Sequence, residues 1–498
     1  LDDMGNRKGM AVMKVDGENH RSKPLVVDLD GTLIFTDTLV ESILRLIKQS
    51  PLNIFKILLW IFKGRSLLKS EVAMRSGVES TLLPYHPDLL EYLQAEKKAG
   101  RTIILATAAH QSIADGVAEH LGIFDGVLAT NSDVNLKGTA KLDAIRHRVG
   151  EDFVYAGDSS ADIPIWQSAS AAILVGVSPS LTQRMRNQVP IEKEFPKKSA
   201  DFWMWIRALR IHQWLKNLLI FVPLLTAFSF TEFSAFATIG VAFLAFSFAA
   251  SATYVVNDLW DLESDRAHPR KRLRPFASAA IPIFNGLAMT VLLLIVALLL
   301  AWGVSLAFFL VLILYILLTS IYSWMLKEYV LIDVLMLAIL YTLRIFAGSV
   351  AIGVSTSSWL LAFSIFIFLS LALIKRCSEL VSLGSSGGVV TRGRDYRVTD
   401  LVVLWPLGVG AALSSVVVFG LFVTTPETQA RYATPAMLWF VAIGLIYWLA
   451  RLWIKTSRGE MHDDPVIYAV KDFGSRVTVC GMIVVVLISH FVSLEFSL

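Results

Sequence analysis

The chain has 498 residues, of which 55% are apolar and 17% are charged, and its formal net charge is +4. This hydropathy excludes an ordinary soluble enzyme, and a net charge this small does not indicate a nucleic-acid partner. The two cysteines, Cys377 and Cys480, lie far apart in apolar surroundings. They therefore imply neither a disulfide framework nor a zinc site.

The apolar residues are distributed unevenly, which predicts two domains of different class. Up to about residue 200 the chain alternates charged and apolar stretches, and beyond it long apolar runs dominate. The first residues lack the apolar core of a secretory signal, so we expect the soluble part to stay in the cytosol. The predicted segments are a tail over 1–21, an α/β Rossmann-like domain over 22–184 with a helical cap at about 38–100, a charged linker over 185–204, and an all-α membrane domain over 205–498.

Three short apolar stretches in the first domain are each followed by polar residues. Residues 25–27 precede Asp28 and Asp30, and residues 102–106 precede Thr107. Residues 153–156 precede Asp158 and Asp162, and Lys141 lies between the second and third stretches. The carboxyl ends of parallel strands are where α/β folds place their sites.

This ordered set of residues resembles the haloacid dehalogenase superfamily over about residues 22–195. The resemblance implies a magnesium-dependent phosphatase in which Asp28 is the nucleophile and Asp30 is the general acid and base. Thr107 and Lys141 would then bind the phosphoryl group. The magnesium ligands would be Asp28, Asp30, Asp158 and Asp162.

Residues 51–63, within the predicted cap, are strongly apolar but too short to cross a bilayer. Two interpretations remain open for this segment. It lies in the membrane interface and holds the cap at the bilayer, or it packs against the phosphatase core.

The second domain contains nine runs long enough to cross a hydrocarbon core of about 30 Å. Basic residues concentrate in the loops after the second, fourth, sixth and eighth runs. By the positive-inside rule these loops face the cytosol. The predicted spans are 210–229, 236–257, 281–302, 305–325, 331–352, 358–375, 401–424, 434–454 and 476–495.

Three carboxylates, Asp258, Asp261 and Asp265, follow the second predicted span. At about 100° per residue a helix would place them within roughly 60° of one another, and a divalent cation carrying a diphosphate would relieve their repulsion. Basic residues that suit phosphate oxygens follow at once. These are Lys271, Arg272 and Arg274.

Other polar residues lie in or beside the spans. Arg344 stands about halfway along its span, where a charge usually faces a cavity or a partner. Further candidates are Lys216, Asn257, Tyr322, Lys327, Lys375, Arg394 and Tyr396.

The Asn257-Asp258-x-x-Asp261-x-x-x-Asp265 pattern with nine spans resembles the UbiA superfamily of intramembrane prenyltransferases over about residues 205–498. Segments such as Lys375-Arg376-Cys377-Ser378-Glu379-Leu380 are most similar to its polyprenyl-phosphate (decaprenyl-phosphate) phosphoribosyltransferase branch. Aromatic prenyltransferases of the superfamily have a second Asp-x-x-x-Asp motif, whereas here Leu337 is the fourth residue after Asp333.

The resemblance implies transfer of 5-phosphoribose from phosphoribosyl pyrophosphate to a polyprenyl phosphate, with magnesium held by Asp258 and Asp261. The other polar residues would bind the two substrates, with Asn257 and Asp265 orienting the metal shell and Arg344 or Lys327 pairing with the lipid head group. The phosphatase would then remove the 5-phosphate, giving a precursor of pentose donors for cell-envelope polysaccharide. We expect a multi-pass inner-membrane protein with both sites cytosolic.

Two other functions remain open from the sequence. An aromatic prenyltransferase with an accessory phosphatase would use the same acidic motif, although the second acidic motif is missing. A transporter or lipid-binding protein with a regulatory phosphatase is the other, although a transport path would need polar groups on both sides of the membrane. The sequence leaves the oligomeric state open, with a homo-oligomer among the alternatives.

Overall fold

A computed structural model describes residues 23–131, 135–196, 201–229, 232–389, 394–461 and 464–493. The predicted N-terminal tail lies outside these ranges. The chain divides into two compact units. The first comprises Leu1–Ala208 together with Val255–Ala288, and the second comprises Leu209–Tyr254 together with Met289–Leu498.

The first unit is built on a six-stranded parallel sheet, as the Rossmann-like prediction requires. The strand order is β3-β2-β1-β4-β5-β6. The last strand continues the sheet into the segment predicted as a linker. The strands are β1 (Leu25–Val27), β2 (Ile103–His110), β3 (Gly126–Thr130), β4 (Val154–Gly157), β5 (Ala171–Val175) and β6 (Ile191–Phe195).

The register of the central strands places the predicted site residues at one edge of the sheet. Val27 pairs with Leu105 on one side and with Ala156 on the other. Asp28, Thr107 and Asp158 therefore follow the paired residues by one or two positions. Both faces of the sheet are buried, as is usual for a parallel sheet covered by helices.

The segment predicted as the cap is helical. It contains α1 (Thr38–Gln49), α2 (Asn53–Lys63) and α3 (Arg65–Ser76), followed by Pro87–Lys98. The Asp37 carboxylate accepts hydrogen bonds from two backbone amides and so caps the start of α1. Other helices of this part are Gln111–Leu121, Thr139–Val149, Ile163–Ser168, Pro179–Arg186 and Phe202–Ala208.

Eight helices are long and apolar enough to cross a membrane, counted over the described ranges. The prediction of nine such helices is not confirmed. The eight helices are Phe233–Trp260, Ile283–Val304, Leu306–Trp324, Ile332–Ile352, Ser358–Ser385, Leu401–Val423, Leu438–Ser457 and Phe473–Phe491.

The first predicted span, 210–229, is not one continuous α-helix. It forms a 3-10 helix over Ile211–Phe221 and a short α-helix over Val222–Thr226. Pro223 stands in the first turn of the short helix, where its missing N–H costs nothing. Polar side chains within the segment bind to neighbouring helices, and these contacts override the apolar pattern that suggested a regular span.

Candidate functional site

Three carboxylates converge at the edge of the sheet in the first unit. Oxygen atoms of Asp28, Asp158 and Asp162 all lie within 4.8 Å of one another. Carboxylate oxygens are the ligands that magnesium prefers. The donor set therefore fits a hard divalent cation, and three clustered negative charges give a physical reason for one to bind.

Lys141, from the helix Thr139–Val149, supplies the positive charge next to this group. Its ammonium donates to Asp28 Oδ2 at 2.8 Å and to the Tyr155 hydroxyl at 3.1 Å. It also lies 3.9 Å from Asp162 Oδ1. Both carboxylates raise the pKa of Lys141 against the opposing effect of burial. The lysine therefore stays charged where a phosphoryl group would meet Asp28.

Asp30 points away from the three-carboxylate group and towards the cap. Its two carboxylate oxygens accept hydrogen bonds from the backbone N–H and the hydroxyl of Thr38, at 2.8 Å and 3.2 Å. Burial, reinforced by the charge of Asp37, raises the pKa of Asp30 to about 7. A carboxyl with a pKa near neutrality can both donate and accept a proton, which is what general acid–base catalysis needs.

Gly31 is required by the position of Asp158. Its φ angle is +74°, and a Cβ atom there would lie 2.4 Å from Asp158 Oδ2. Thr32 donates from its hydroxyl to Asp158 Oδ1 at 3.5 Å. Burial, with the nearby charge of Asp162, raises the pKa of Asp158 to about 7. The turn after β1 therefore contacts Asp158 directly. Without a cation, the protonated form of the Asp158 carboxyl is favoured.

A cavity of about 680 Å³ opens over Asp28, Asp30 and Lys141. The cap contributes Lys69 to its wall, and the Lys69 ammonium also donates to the Ala108 carbonyl at 2.9 Å. A separate part of the same unit closes one side with Ala279, Pro282, Ile283 and Phe284. Thr107 is fully buried, and its hydroxyl oxygen accepts from the Ala109 amide at 3.0 Å.

The acidic segment of the chain spans the end of one helix and the start of another. Asn257 and Asp258 lie in the helix Phe233–Trp260, and Asp265 lies in the short helix Leu262–Ala267. Asp261 stands between them, so the three aspartates are not on one continuous helix as the sequence suggested. Among the described residues, these three aspartates do not form a group whose carboxylate oxygens all lie within 4.8 Å of one another.

Arg274 joins two of these aspartates. Its Nη1 lies 3.2 Å from Asp258 Oδ1 and 2.6 Å from Asp265 Oδ2, and both carboxylates are buried. The second oxygen of Asp265 has no hydrogen-bond partner among the described residues, and the nearest ammonium, that of Lys271, is 4.0 Å away. A buried, under-coordinated carboxylate oxygen fits a metal ligand or its orienting neighbour.

Two ion pairs connect α1 of the cap to the acidic segment. Arg266 donates to both carboxylate oxygens of Glu41, at 3.1 Å and 2.7 Å, and each side chain is 7% exposed. Arg45 lies 2.9 Å from Glu263 in a more exposed pair. The Thr36 hydroxyl also donates to Glu41 at 2.7 Å. These contacts lie within the first unit and fix the cap against the residues that follow Asp265.

In the second unit, two predicted lysines share one carboxylate. Lys216 and Lys375 lie 2.8 Å and 3.4 Å from the same oxygen, Asp464 Oδ2. The Lys216 ammonium also lies 5.7 Å from the centre of the Tyr341 ring. Two ammonium groups on one carboxylate leave an excess of positive charge, which suits an incoming phosphate.

Arg344 is buried and bound on several sides by the protein. Its guanidinium donates to Asn217 Oδ1 at 2.9 Å, to the Leu340 carbonyl at 2.6 Å and to the Tyr315 hydroxyl at 3.0 Å. These bonds join the segment 211–221 to the helices Leu306–Trp324 and Ile332–Ile352. The structure therefore gives this arginine a structural set of partners that the sequence did not reveal.

Asp333 lies at the centre of a second buried cluster. Arg376 Nε donates to Asp333 Oδ2 at 2.6 Å, and the Tyr396 hydroxyl donates to the other oxygen. Arg394 lies 3.4 Å from Glu379, which also pairs with Arg376. With both of its oxygens engaged, Asp333 acts in this arrangement as a structural anion. Tyr322 and Lys327 lie nearby in sequence, in the helix Leu306–Trp324 and in the 3-10 turn Leu326–Glu328.

Several residues at these sites were missed from the sequence because only tertiary contacts reveal them. Lys69 enters the cavity above Asp28 from the cap, and Glu41 binds a residue more than two hundred positions away. Asp464 lies in a loop between two predicted spans, where its sequence context predicts no role. A single carboxylate in a span-flanking loop gives no local signal of its partners.

Comparison with known proteins identifies both parts of the chain. The UbiA prenyltransferase family matches residues 218–468, and the haloacid dehalogenase-like hydrolase family matches residues 25–167. An uncharacterized protein y4nM of Sinorhizobium fredii is 40% identical over 94% of this chain and 90% of its own length.

Two further relatives resemble the second part. Nodulation protein NoeC of Azorhizobium caulinodans is 36% identical over 58% of this chain and 94% of its own length. A decaprenyl-phosphate phosphoribosyltransferase of Mycolicibacterium smegmatis is 33% identical over 44% of this chain and 69% of its own length.

Proposed function

Since the chain belongs to the UbiA prenyltransferase family and carries an N-terminal haloacid dehalogenase-like domain, we propose that it is a bifunctional membrane enzyme. The membrane part transfers 5-phosphoribose from phosphoribosyl pyrophosphate to polyprenyl (decaprenyl) phosphate. The phosphatase part then removes the 5-phosphate. The product, polyprenyl-phosphoryl-ribose, would serve as a precursor of pentose donors for cell-envelope polysaccharide.

One observation carries the pairing of the two steps. The cavity above Asp28 is walled in part by Ala279, Pro282, Ile283 and Phe284, which belong to the same unit and follow the acidic segment in the chain. The buried Glu41–Arg266 pair holds the cap against that segment. A phosphatase cavity bordered by the residues that follow the transferase motif suits a substrate delivered by that motif.

In the transfer step, a phosphate oxygen of the lipid attacks the anomeric carbon of the ribose. A carbon–oxygen bond forms on one side, the bond to the diphosphate breaks on the other, and pyrophosphate leaves. Asp258 and Asp261 would hold magnesium, which neutralises charge on the leaving diphosphate when bound. Lys271, Arg272 and Arg274 would bind its oxygens, and Arg274 would exchange a carboxylate for a phosphate partner.

We place the lipid phosphate at Lys216 and Lys375. These two ammonium groups share a single carboxylate, that of Asp464, so they retain positive charge for a further anion. Arg344 is less suited to this role because its donors already bind Asn217, Tyr315 and a backbone carbonyl.

In the hydrolytic step, the Asp28 carboxylate attacks phosphorus and the bond to the ribose 5-oxygen breaks. Asp30, with a pKa of about 7, donates a proton to the leaving alcohol and afterwards takes one from the water that cleaves the aspartyl-phosphate. Lys141 keeps the phosphoryl oxygens and Asp28 close together. Asp28, Asp158 and Asp162 would hold the cation, which would offset the negative charge of the carboxylates and the phosphoryl group.

We propose that residues 211–226 make a ninth membrane crossing. Glu41 and Arg266 are bonded and so lie on the same side of the bilayer, although the helix Phe233–Trp260 crosses it between them in sequence. A second crossing is therefore needed between residues 41 and 266. At about 2.0 Å per 3-10 residue and 1.5 Å per α residue, this segment spans roughly 30 Å, the thickness of the hydrocarbon core. The basic loops then lie on the cytosolic side of the inner membrane.

The test uses purified protein in detergent with magnesium, labelled phosphoribosyl pyrophosphate and polyprenyl phosphate. Wild type is compared with Asp28→Asn and Asp258→Asn, and the masses of the lipid products are determined by mass spectrometry. We expect Asp28→Asn to accumulate a lipid heavier by one phosphate group and Asp258→Asn to make neither product.

Two results would contradict the proposal. If the wild-type product keeps its 5-phosphate, the phosphatase does not act on it and the consecutive steps are wrong. If no labelled ribose enters lipid in any variant, the phosphoribosyl assignment is wrong and aromatic prenylation, assayed with a prenyl diphosphate and a phenolic acceptor, becomes the leading hypothesis.

A further inference from the structure

Helix α2 of the cap has an apolar face that no described part of the chain covers. Ile57 is 5% exposed and packs with Leu46, Leu68 and Val72 of the neighbouring cap helices. The opposite side of α2 is exposed to an unusual degree, and Phe62 reaches 88%. The residues on this outer face are Ile54, Phe55, Leu58, Leu59, Ile61 and Phe62.

The arrangement of side chains around α2 is that of a helix lying in a membrane interface. At about 100° per residue the six outer residues occupy an arc of roughly 160°, and Ile57 and Trp60 lie on the side facing α1 and α3. Lys56 and Lys63 are exposed at one border of the apolar arc. Lysines at that position can reach lipid phosphates while the apolar side chains enter the acyl boundary.

The position of α2 in the fold places this face near a bilayer. A small cleft is lined by Arg45 and Lys48 of α1 together with Leu259 and Trp260, the last residues of a membrane-crossing helix. Leu52, directly before α2, is four residues after Lys48, which is at most about 14 Å of extended chain. The start of α2 therefore lies close to the level at which the helix Phe233–Trp260 leaves the membrane.

We propose that the outer face of α2 lies in the cytosolic leaflet of the bilayer that the chain itself crosses. The occupant of the apolar face is lipid. The cap is then held at the membrane at two places, by the Glu41–Arg266 pair and by α2. Since α1 and α3, which pack on α2, border the cavity above Asp28, the opening of the phosphatase faces substrates carried by the membrane.

The test uses the full chain in vesicles of mixed zwitterionic and anionic phospholipid. Cys377 and Cys480 are replaced by serine, and single cysteines are introduced by Phe55→Cys or Phe62→Cys and labelled with an environment-sensitive fluorophore. Glu119→Cys, on an exposed position of the helix Gln111–Leu121, is the matched control. Leu59→Cys repeats the measurement in case a phenylalanine variant misfolds.

We expect nitroxide-bearing lipids to quench more than roughly half of the fluorescence at positions 55, 59 and 62 and to leave position 119 unchanged. Equal, weak quenching at all four positions would overturn the proposal, because the face would then lie in water. A blue-shifted signal that lipid nitroxides do not quench, and that reverts as protein is diluted into more lipid, would assign the face to a second copy of the chain and also overturn it.

Discussion

The two acidic clusters of the first unit, around Asp28 and around Asp258, differ in how their negative charge is compensated. Around Asp28 three carboxylates converge, and the Lys141 ammonium donates to one of them. The aspartates around Asp258 lie on two helices and the residue between them, and Arg274 bridges two of them. The first arrangement suits a cation as it stands, whereas in the proposed transfer Arg274 would exchange a carboxylate partner for the diphosphate. Two segments with the same number of aspartates can therefore differ in how well they are preorganised to bind a cation.

The largest effect should come from removing the one ammonium in the convergent cluster. We expect Lys141→Met to lower phosphatase kcat by about 10³-fold, the scale for losing a preorganised charge at a reacting phosphoryl group. Transferase activity should stay unchanged. Lys137→Met, also on the cavity wall, is the control and should cost far less. Equal losses in the two variants would mean that Lys141 has no special role.

The bridged cluster should respond differently. We expect Arg274→Gln to reduce transferase kcat/KM by about 10- to 100-fold, because Asp258 and Asp265 lose their shared partner and the diphosphate loses a donor. Arg270→Gln, at an exposed position that the proposal gives no role, is the matched control. A kinetic assay with varied phosphoribosyl pyrophosphate and magnesium measures both. Unchanged kinetics for Arg274→Gln would argue that the bridge is structural only.

The Glu41–Arg266 ion pair, which joins the cap to the acidic segment, should contribute to the free energy of unfolding. We expect Glu41→Gln to destabilise the first unit by about 2 kcal/mol, because Arg266 is left buried without a charged partner. Glu263→Gln, which breaks the more exposed pair with Arg45, should cost at most about 0.5 kcal/mol. Thermal unfolding in detergent reports both. The reverse order of the two effects would show that burial does not decide the strength of these pairs.

The smallest effect is a pH dependence of the convergent cluster. The pKa values of Asp30 and Asp158 are raised from 3.8 to about 7, so the folded state binds more protons than the unfolded state between these values. Without magnesium, the stability that these groups contribute is greatest below about pH 4 and is lost as pH rises through about 7.

Magnesium should reverse part of this loss because it binds the deprotonated carboxylates. We expect magnesium to raise the melting temperature of the phosphatase part by several degrees at pH 8 and by less at pH 5. Asp158→Asn should remove most of this difference. A magnesium effect that is independent of pH in the wild type would contradict the raised pKa values.

The phosphatase cluster was easier to predict from sequence than the membrane clusters. Short apolar strands followed by aspartates fix both the fold and the edge where side chains meet, since parallel strands end together. No equivalent rule brings Asn217 to Arg344 or Asp464 to two lysines, because these contacts depend on how separate helices pack. The first predicted span is not confirmed as a regular α-helix, because its polar side chains bind partners in other helices.

The unit boundary has a consequence for dividing the gene. The sequence suggests a cut near residue 204, yet Val255–Ala288 is grouped with the N-terminal unit, and Arg266 is bonded to Glu41. Two separately translated halves would each carry one member of a buried ion pair and one part of the cavity wall. Split versions should therefore regain both activities only when the halves are produced together and reassociate, because the first unit is completed by residues from both halves.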